Sequence, residues 1–346
     1  MRRAGMLAVG FAVAAVTVVG AVYLCSPTRS AAQSQGNNTV WASSTGTSGS
    51  AAFIDASTCT GSGCTDICTT INAILTSSSG FTYPAQGAVV DARGIAQNST
   101  TALACSVNPF NGVTVPSTIL LPASTILLQT SWVLPSNTRI IGEGNFTVLG
   151  VGSWSGGSDL IDMCSTSSAC SGVSIEHLKI QGEGNVNCST TPSTNTYNGI
   201  VNNYAQVSSF VSDVTMCDIG GTGLKITSNA GGSGPYTNID FVAAPGASGA
   251  SCSGGLGTPC TACVDIEAQT LGLHGVTCVG ASDVSGANGS SMGDAAIYVN
   301  AGNNSIEDIH VEEFWDAVEV GDISSTVGNV VISNLRGSYN QAKVTN

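Results

Sequence analysis

Beyond residue 130, short runs of alternating apolar and polar residues recur along the chain, each split by a polar bend. The unit is apolar-x-apolar, a polar pair, then apolar-x-apolar. It reads Val173-Ser-Ile175-Glu-His177-Leu178-Lys-Ile180, Val211-Ser-Asp213-Val214-Thr-Met216 and Tyr236-Thr-Asn238-Ile239-Asp-Phe241. It returns as Leu271-Gly-Leu273-His-Gly275-Val276-Thr-Cys278, Ile306-Glu-Asp308-Ile309-His-Val311 and Val330-Val-Ile332-Ser-Asn334-Leu335-Arg-Gly337. A period of two sends successive side chains to opposite faces of a strand. The anchors Leu178, Val214, Ile239, Val276, Ile309 and Leu335 lie 36, 25, 37, 33 and 26 residues apart. A constant unit at irregular spacing predicts coils of one architecture joined by loops of different length.

Between successive units lies a third short strand: Gly199–Asn202, Gly223–Ile226, Cys263–Ile266, Ala296–Val299 and Ala317–Val320. Two bent strands and a third per coil predict an all-β, right-handed parallel β-helix with the anchors stacked as one inward ladder. A single coil cannot bury its inner face, and stacking does so. A β-sandwich also uses short strands and Gly/Ser turns, but it accounts less well for the repeated bent pair.

Ahead of the coils, Thr65-Asp66 before Ile67, Ile71, Ile74 and Leu75 predicts a short capped amphipathic helix, and Ala88-Val-Val-Asp-Ala a strand. The start is Met1-Arg2-Arg3-Ala4-Gly5, followed by an uncharged apolar run from Met6 to Leu24. That pattern predicts a signal peptide, with Ser30-Ala31-Ala32 as small residues for cleavage, or an uncleaved signal anchor. The expected organisation is a leader at 1–32, a Ser/Thr/Gly-rich flexible spacer at 33–52, an N-terminal cap region at 53–116 and the β-helix at 117–346. The last coil is followed by no obvious capping element, so either the cap is minimal or the chain is a fragment of a longer one.

Composition narrows the functional classes. Hydrophobic residues make up 42% of the 346, which excludes wholesale disorder. Nine basic against 22 acidic residues leave no electrostatic footprint for nucleic acid. Removal of the leader would leave six basic residues: Arg93, Arg139, Lys179, Lys225, Arg336 and Lys343. Of thirteen cysteines, twelve follow the leader, and none show the paired spacing of a zinc site. Cys260-Thr-Ala-Cys263 is a lone C-x-x-C without a second pair or a thioredoxin context, so its cysteines read as halves of structural bridges. Candidate local bridges are Cys164 with Cys170, Cys188 with Cys217 and Cys263 with Cys278, with connectivity left open.

The stretch from Ser117 to Gly144 reads Ser-Thr-Ile-Leu-Leu-Pro-Ala-Ser-Thr, then Leu-Pro-Ser-Asn-Thr-Arg-Ile-Ile-Gly-Glu-Gly. It resembles the opening coils of the pectate lyase superfamily of single-stranded right-handed β-helix (pectin lyase-like) proteins, behind a capping helix. The resemblance covers about residues 64–340 and is dense at 82–144. It implies an enzyme that cleaves acidic or neutral polysaccharide in a groove along one sheet. The catalytic patterns do not follow. The polygalacturonase pattern needs a paired Asp-Asp and Arg-Ile-Lys, both absent, and His274-Gly275 lies in the bent unit rather than on the groove strand. No catalytic residue of the family carries over.

The residues themselves offer another set. On the third strand the central outward residues of successive coils are Val201, Lys225, Asp265, Tyr298 and Glu319. Asp265 and Glu319, two coils apart, would be about 10 Å apart, at or just past the wide end of the separation of about 6.5–9.5 Å in inverting glycosidases. Glu267 shares the face of Asp265. Asp265, Glu267 and Glu319 are therefore the catalytic candidates. Tyr298 and Lys225 are substrate-binding candidates, one to stack on a sugar and the other to tune Asp265. The plainer reading is a solvated sheet face with a Lys–Asp pair of little consequence.

Asp308, Glu312, Glu313, Asp316, Glu319 and Asp322 form the densest acidic run, which reads as a solubilising edge. Calcium is the metal its oxygens would suit, though no calcium-loop motif is present and no cofactor is required. His177, His274 and His310 fall one to a coil without a ligand pattern. The expected function is an exported protein that acts on or binds polysaccharide or a cell-surface glycan, meeting a membrane only through an uncleaved N-terminal segment. A non-catalytic surface or adhesive solenoid is the alternative, and fold analogy does not choose between them.

Overall fold

The computed structural model describes residues 40–41, 52–59, 66–78, 83–96, 101–164, 169–182, 188, 197–244, 262–280, 295–312, 314, 316–321 and 327–338. The expected leader, most of the spacer, Cys260, Glu313, Asp322 and Lys343 lie outside them. Among the described residues no helix is long and apolar enough to cross a membrane.

The helix, Ile67–Leu75, begins at the signalled cap. The Thr69 amide donates to Asp66 Oδ1 at 2.8 Å and the Asp66 amide to Thr69 Oγ1 at 3.0 Å. This reciprocal pair satisfies amide donors that have no helical partner. Ile67, Ile71, Ile74 and Leu75 are buried. A disulfide from Cys68 to Cys105 ties the helix to the strand Leu103–Cys105, with Cα atoms 4.9 Å apart.

The strands form two parallel sheets. In the larger, Ala52–Asp55, Ala88–Asp91, Ser117–Leu120 and Thr138–Ile141 stack in order onto the first half of Ser174–Gln181. Leu103–Cys105, Thr125–Leu128 and Val148–Val151 stack onto its second half. The parallel stack thus starts before residue 117, inside the expected cap region. Val40–Trp41 pairs antiparallel on the first of these strands. From Ser174 onward the two halves are one bent strand per coil: Phe210–Cys217, Tyr236–Ala244, Gly272–Gly280, Asn304–Glu312 and Val330–Ser338. The second sheet stacks Trp132–Leu134, Asp159–Met163, Asn198–Asn202, Leu224–Ile226, Val264–Ile266, Ala295–Val299 and Asp316–Val320. Two halves of a bent strand and one strand of the second sheet make three per coil: a parallel β-helix.

The bend has one physical cause. His177, Asp213, Asn238, Gly275, Asp308 and Asn334 occupy equivalent positions and all have φ between 53° and 67°. Side chains resist this left-handed region, and Gly, Asn, Asp and His tolerate it best. The bend side chains also link coils: Asn238 Nδ2 donates to Asp213 Oδ1 at 2.9 Å, and Asn334 Nδ2 donates to Asp308 Oδ1. Immediately after the bend, Leu178, Val214, Ile239, Val276 and Ile309 pair one to the next, each at most 1% exposed. Each such burial stabilises by about 1.5–3 kcal/mol. Leu335 continues the ladder in the last described strand and is 43% exposed.

Buried amides hold another corner. Asn202 accepts from the Ala205 amide at 2.8 Å and donates to the Ala205 carbonyl and the Tyr236 hydroxyl at 2.9 and 2.8 Å. Asn304 accepts from the Leu271 amide and donates to the Ala268 and Ala301 carbonyls. Turn backbone that would otherwise be buried without partners is thereby satisfied. The three expected bridges, Cys164–Cys170, Cys188–Cys217 and Cys263–Cys278, are all present, with Cα separations of 6.3, 5.2 and 6.3 Å. Cys263 is accordingly structural, and Cys68–Cys105 is a bridge that the sequence reading did not propose.

Two outcomes test this architecture. Asn238→Val should cost about 2 kcal/mol or more in chemical denaturation, because a β-branched residue is strained at positive φ and the Asp213 bond is lost, whereas Asn238→Gly should cost less than about 1 kcal/mol. Equal losses for the two would remove the bend from the argument. Nine cysteines among the described residues are disulfide-bonded; because bridges join two, at least ten of the chain's thirteen are oxidised, and thiol titration of the denatured, unreduced protein should give no more than three free thiols per chain.

Candidate functional site

Parallel stacking in register turns one position per coil into a column. On the second sheet the column runs Val133, Asp162, Val201, Lys225, Asp265, Tyr298, Glu319. It contains all five residues expected there, in the expected order, because each directly follows an apolar residue on the opposite face of its strand. Asp265 and Glu319 are two strands apart, about 10 Å by strand spacing.

The centre of the column is a three-residue charge cluster. Lys225 Nζ lies 2.8 Å from Glu267 Oε1 and 3.2 Å from Asp265 Oδ2. Burial pulls the Lys225 ammonium down, but the Glu267 hydrogen bond and the charges of Asp265 and Glu267 outweigh it, and its pKa is raised. Asp265 responds differently. Burial pushes its carboxyl up to about 6, with Glu267 adding repulsion, and the attraction of Lys225 only partly offsets this. The asymmetry follows exposure: the Asp265 side chain is 6% exposed and that of Lys225 30%. Asp265 Oδ1 is buried with no hydrogen-bond partner, which favours the protonated form for the same reason.

Asp265 and Tyr298 hold their outward positions in the column but are covered, at 5% and 3% exposed. The outer side of the sheet is closed over at these two coils, so Tyr298 offers no open ring face here. Glu267 and Glu319 remain partly exposed.

The column also holds a residue that the sequence reading missed. Asp162 lies in register between Val133 and Val201 and accepts a hydrogen bond from Asn203 Nδ2 at 3.0 Å. Burial pushes its carboxyl up to about 7, and the neighbouring charge of Asp159 adds to the effect. Asp159 accepts from Asn198 Nδ2 at 2.6 Å. The signal was present in Ile161-Asp162-Met163, the same apolar-charged-apolar triplet as Leu224-Lys225-Ile226 and Val264-Asp265-Ile266. The triplet precedes the first bent unit, Val173–Ile180, and so stands outside the repeat that frames the others.

The acidic run does not come together. Asp308 is a bend residue bonded to Asn334, Glu312 pairs with His310 at 2.8 Å, and Glu319 belongs to the other sheet. Among the described residues no three His, Cys, Asp or Glu side chains converge as metal ligands would. His177 pairs with Asp213 and His274 with Glu307, both at 3.4 Å, and both histidines lie on the larger sheet. Comparison of the chain with protein-family models and with curated proteins found no match.

The Asp162 carboxyl carries a pH consequence. With its folded pKa raised to about 7, its contribution is complete below the ordinary aspartate range and is lost as pH rises through about 7. Asp162→Asn removes that loss. The variant should therefore gain on the wild type between pH 5 and pH 8, by about 1–2 kcal/mol once partial exposure is allowed for. Thermal melting at the two pH values reads this as a shift of a few degrees, and an unchanged difference would show that Asp162 titrates normally.

Proposed function

We propose that this chain is an exported β-solenoid, pectate lyase-like in architecture, that binds polysaccharide on its second sheet and cleaves it with the carboxyls displayed there. The observation that carries the reading is the in-register column of Asp162, Asp265 and Glu319, two of whose carboxyls are pushed by burial toward neutral pH. Hydrolysis needs one carboxyl that still holds a proton and a second, opposed carboxylate. Asp265 suits the first role and Glu319 the second, with Glu267 next to Asp265 and Lys225 bridging them. Lyase chemistry is less well supplied, since Lys225 is already engaged by two carboxylates. The disulfides support export into an oxidising compartment, together with the apolar leader. No cofactor is needed for this chemistry. Calcium would have to act through the same carboxyls.

A second reading has its own observation. The near-complete burial of Asp265 and Tyr298 favours a non-catalytic structural or adhesive solenoid, in which the column is covered rather than presented.

The test is a polysaccharide panel incubated with the exported part of the chain, with and without calcium, reading both reducing ends and unsaturated products. Asp265→Asn and Glu319→Gln should each lower turnover by about 10²-fold or more, with the circular dichroism spectrum unchanged. Cleavage that neither substitution slows would remove these residues from the chemistry. Absence of any turnover across the panel would favour the structural solenoid.

A further inference from the structure

Near the N-terminal end of the second sheet lie three features, of which the function above uses only Asp162. The first is a cleft of about 350 Å³ beside Val133, lined among others by Asn108, Phe110, Asn111, Ser136 and Ala169. Its size falls within the range of ligand clefts, about 300–1,000 Å³. Its floor is fixed: Asn108 Oδ1 accepts from the amides of Phe110 and Val133, and the Phe110 ring packs edge-on against buried Trp132 with centroids 5.9 Å apart. The second feature is Asp162, one strand spacing from Val133 in the outward column. The third is a half-buried aromatic pair, Trp154 and Tyr197, with ring centroids 5.2 Å apart. It lies by the opposite ends of the same strands, next to Asp159 and Asn198. Carboxamides and a hydroxyl lining a cleft, with a carboxyl one strand spacing away and an aromatic pair at the other ends of the strands, are groups that hold a sugar, by hydrogen bonds to hydroxyls and by ring packing.

The charges decide which sugar. Along the second sheet Lys225 is the only Lys or Arg among the described residues, and Asp265 and Glu267 both occupy it. Arg93 is held by Asp91 and Glu143, and Arg139 by Glu176, on the larger sheet. Lys179 is buried near Asp218. Among the described residues of this sheet, Asp159, Asp162, Glu267 and Glu319 are partly exposed, and no cation is left to receive a carboxylate. At the Asp162 end a uronate would meet Asp159 and Asp162 with no cation opposite, and like charges brought together with desolvation are strongly unfavourable.

We propose that the Asp162 end of the second sheet is a saccharide-binding site for uncharged or amino sugars and that it rejects uronates. This rests on the polysaccharide reading above and narrows it to a place and a ligand class. Partial burial of the Asp162 carboxyl strengthens its hydrogen bonds to sugar hydroxyls or to an ammonium group.

Calorimetric titration tests both parts, using neutral β-glucan and xylan oligosaccharides, chitosan oligosaccharides and oligogalacturonates, each with calcium and with chelator. The neutral or amino oligosaccharides should bind and the oligogalacturonates should not, in either condition. Asp162→Asn should weaken binding by about tenfold or more. Ala169→Trp, which fills the cleft from an exposed position, should abolish it, and it reads the site even if the Asp162 variant does not fold. His274→Gln, on the larger sheet, should leave binding unchanged. Binding that survives both Asp162→Asn and Ala169→Trp would place the site elsewhere and overturn this proposal while leaving the polysaccharide reading intact. Oligogalacturonate binding as tight as neutral binding would overturn the ligand class. No binding by any oligosaccharide would overturn both the proposal and the reading on which it rests.

Discussion

A left-handed bend residue, repeated once per coil at the same point, is the constraint from which the rest of the molecule follows. At φ near 55° the chain turns within a single residue, so the strand on either side stays regular and can hydrogen-bond to the coils above and below. Because the bend recurs at one register position, the residue after it always points inward. A slip of one residue would send that ladder outward, exposing Leu178, Val214, Ile239, Val276 and Ile309 together. Register is therefore held by a continuous apolar column rather than by any single contact. The amide corners at Asn202 and Asn304 fit around this repeat, and so do the disulfides that close individual coils.

The same register gives the outer face its chemistry. One outward residue per coil falls into a column with a spacing of about 4.8 Å, so carboxyls far apart in the chain become neighbours at fixed separations. Their surroundings then set them apart. Asp265 is more deeply buried than the Lys225 that pairs with it, and desolvation outweighs attraction. Asp162 has no cation beside it and has Asp159 nearby, and its carboxyl is pushed further up. Two carboxyls of one column thus hold protons at different pH, which is what acid–base chemistry on a rigid surface requires.

Charge balance shapes what such a surface can meet. The chain carries 22 acidic and nine basic residues; Arg93, Arg139 and Lys225 are engaged by carboxylates, whereas Arg336 on the last described strand is exposed and donates to Asn334. The resemblance at Ser117–Gly144 concerns how the coils open. It does not bring with it the basic groups that a polyuronate would need, and the fold alone does not choose a ligand.

The sequence by itself determined the architecture. Period-two bursts around Asn, Asp, His or Gly reveal both the strands and the bend, since few residue types accept positive φ. The apolar-charged-apolar triplets reveal the outward column, since alternation in a strand is local. Cys164–Cys170 and Cys263–Cys278 were legible because their cysteines are 6 and 15 residues apart, whereas Cys68–Cys105 spans 37 residues and the boundary between helix and coil and has no local signal. Only the tertiary structure decided which column residues are covered. Burial of Asp265 and Tyr298 depends on what packs over the sheet, and no pattern within their own strands encodes it. Tertiary structure also brought Asp162, the cleft at Asn108 and Phe110, and the Trp154–Tyr197 pair to one end of the sheet. These residues lie between Asn108 and Tyr197, 89 positions apart at the extremes, and coil stacking rather than chain proximity gathers them.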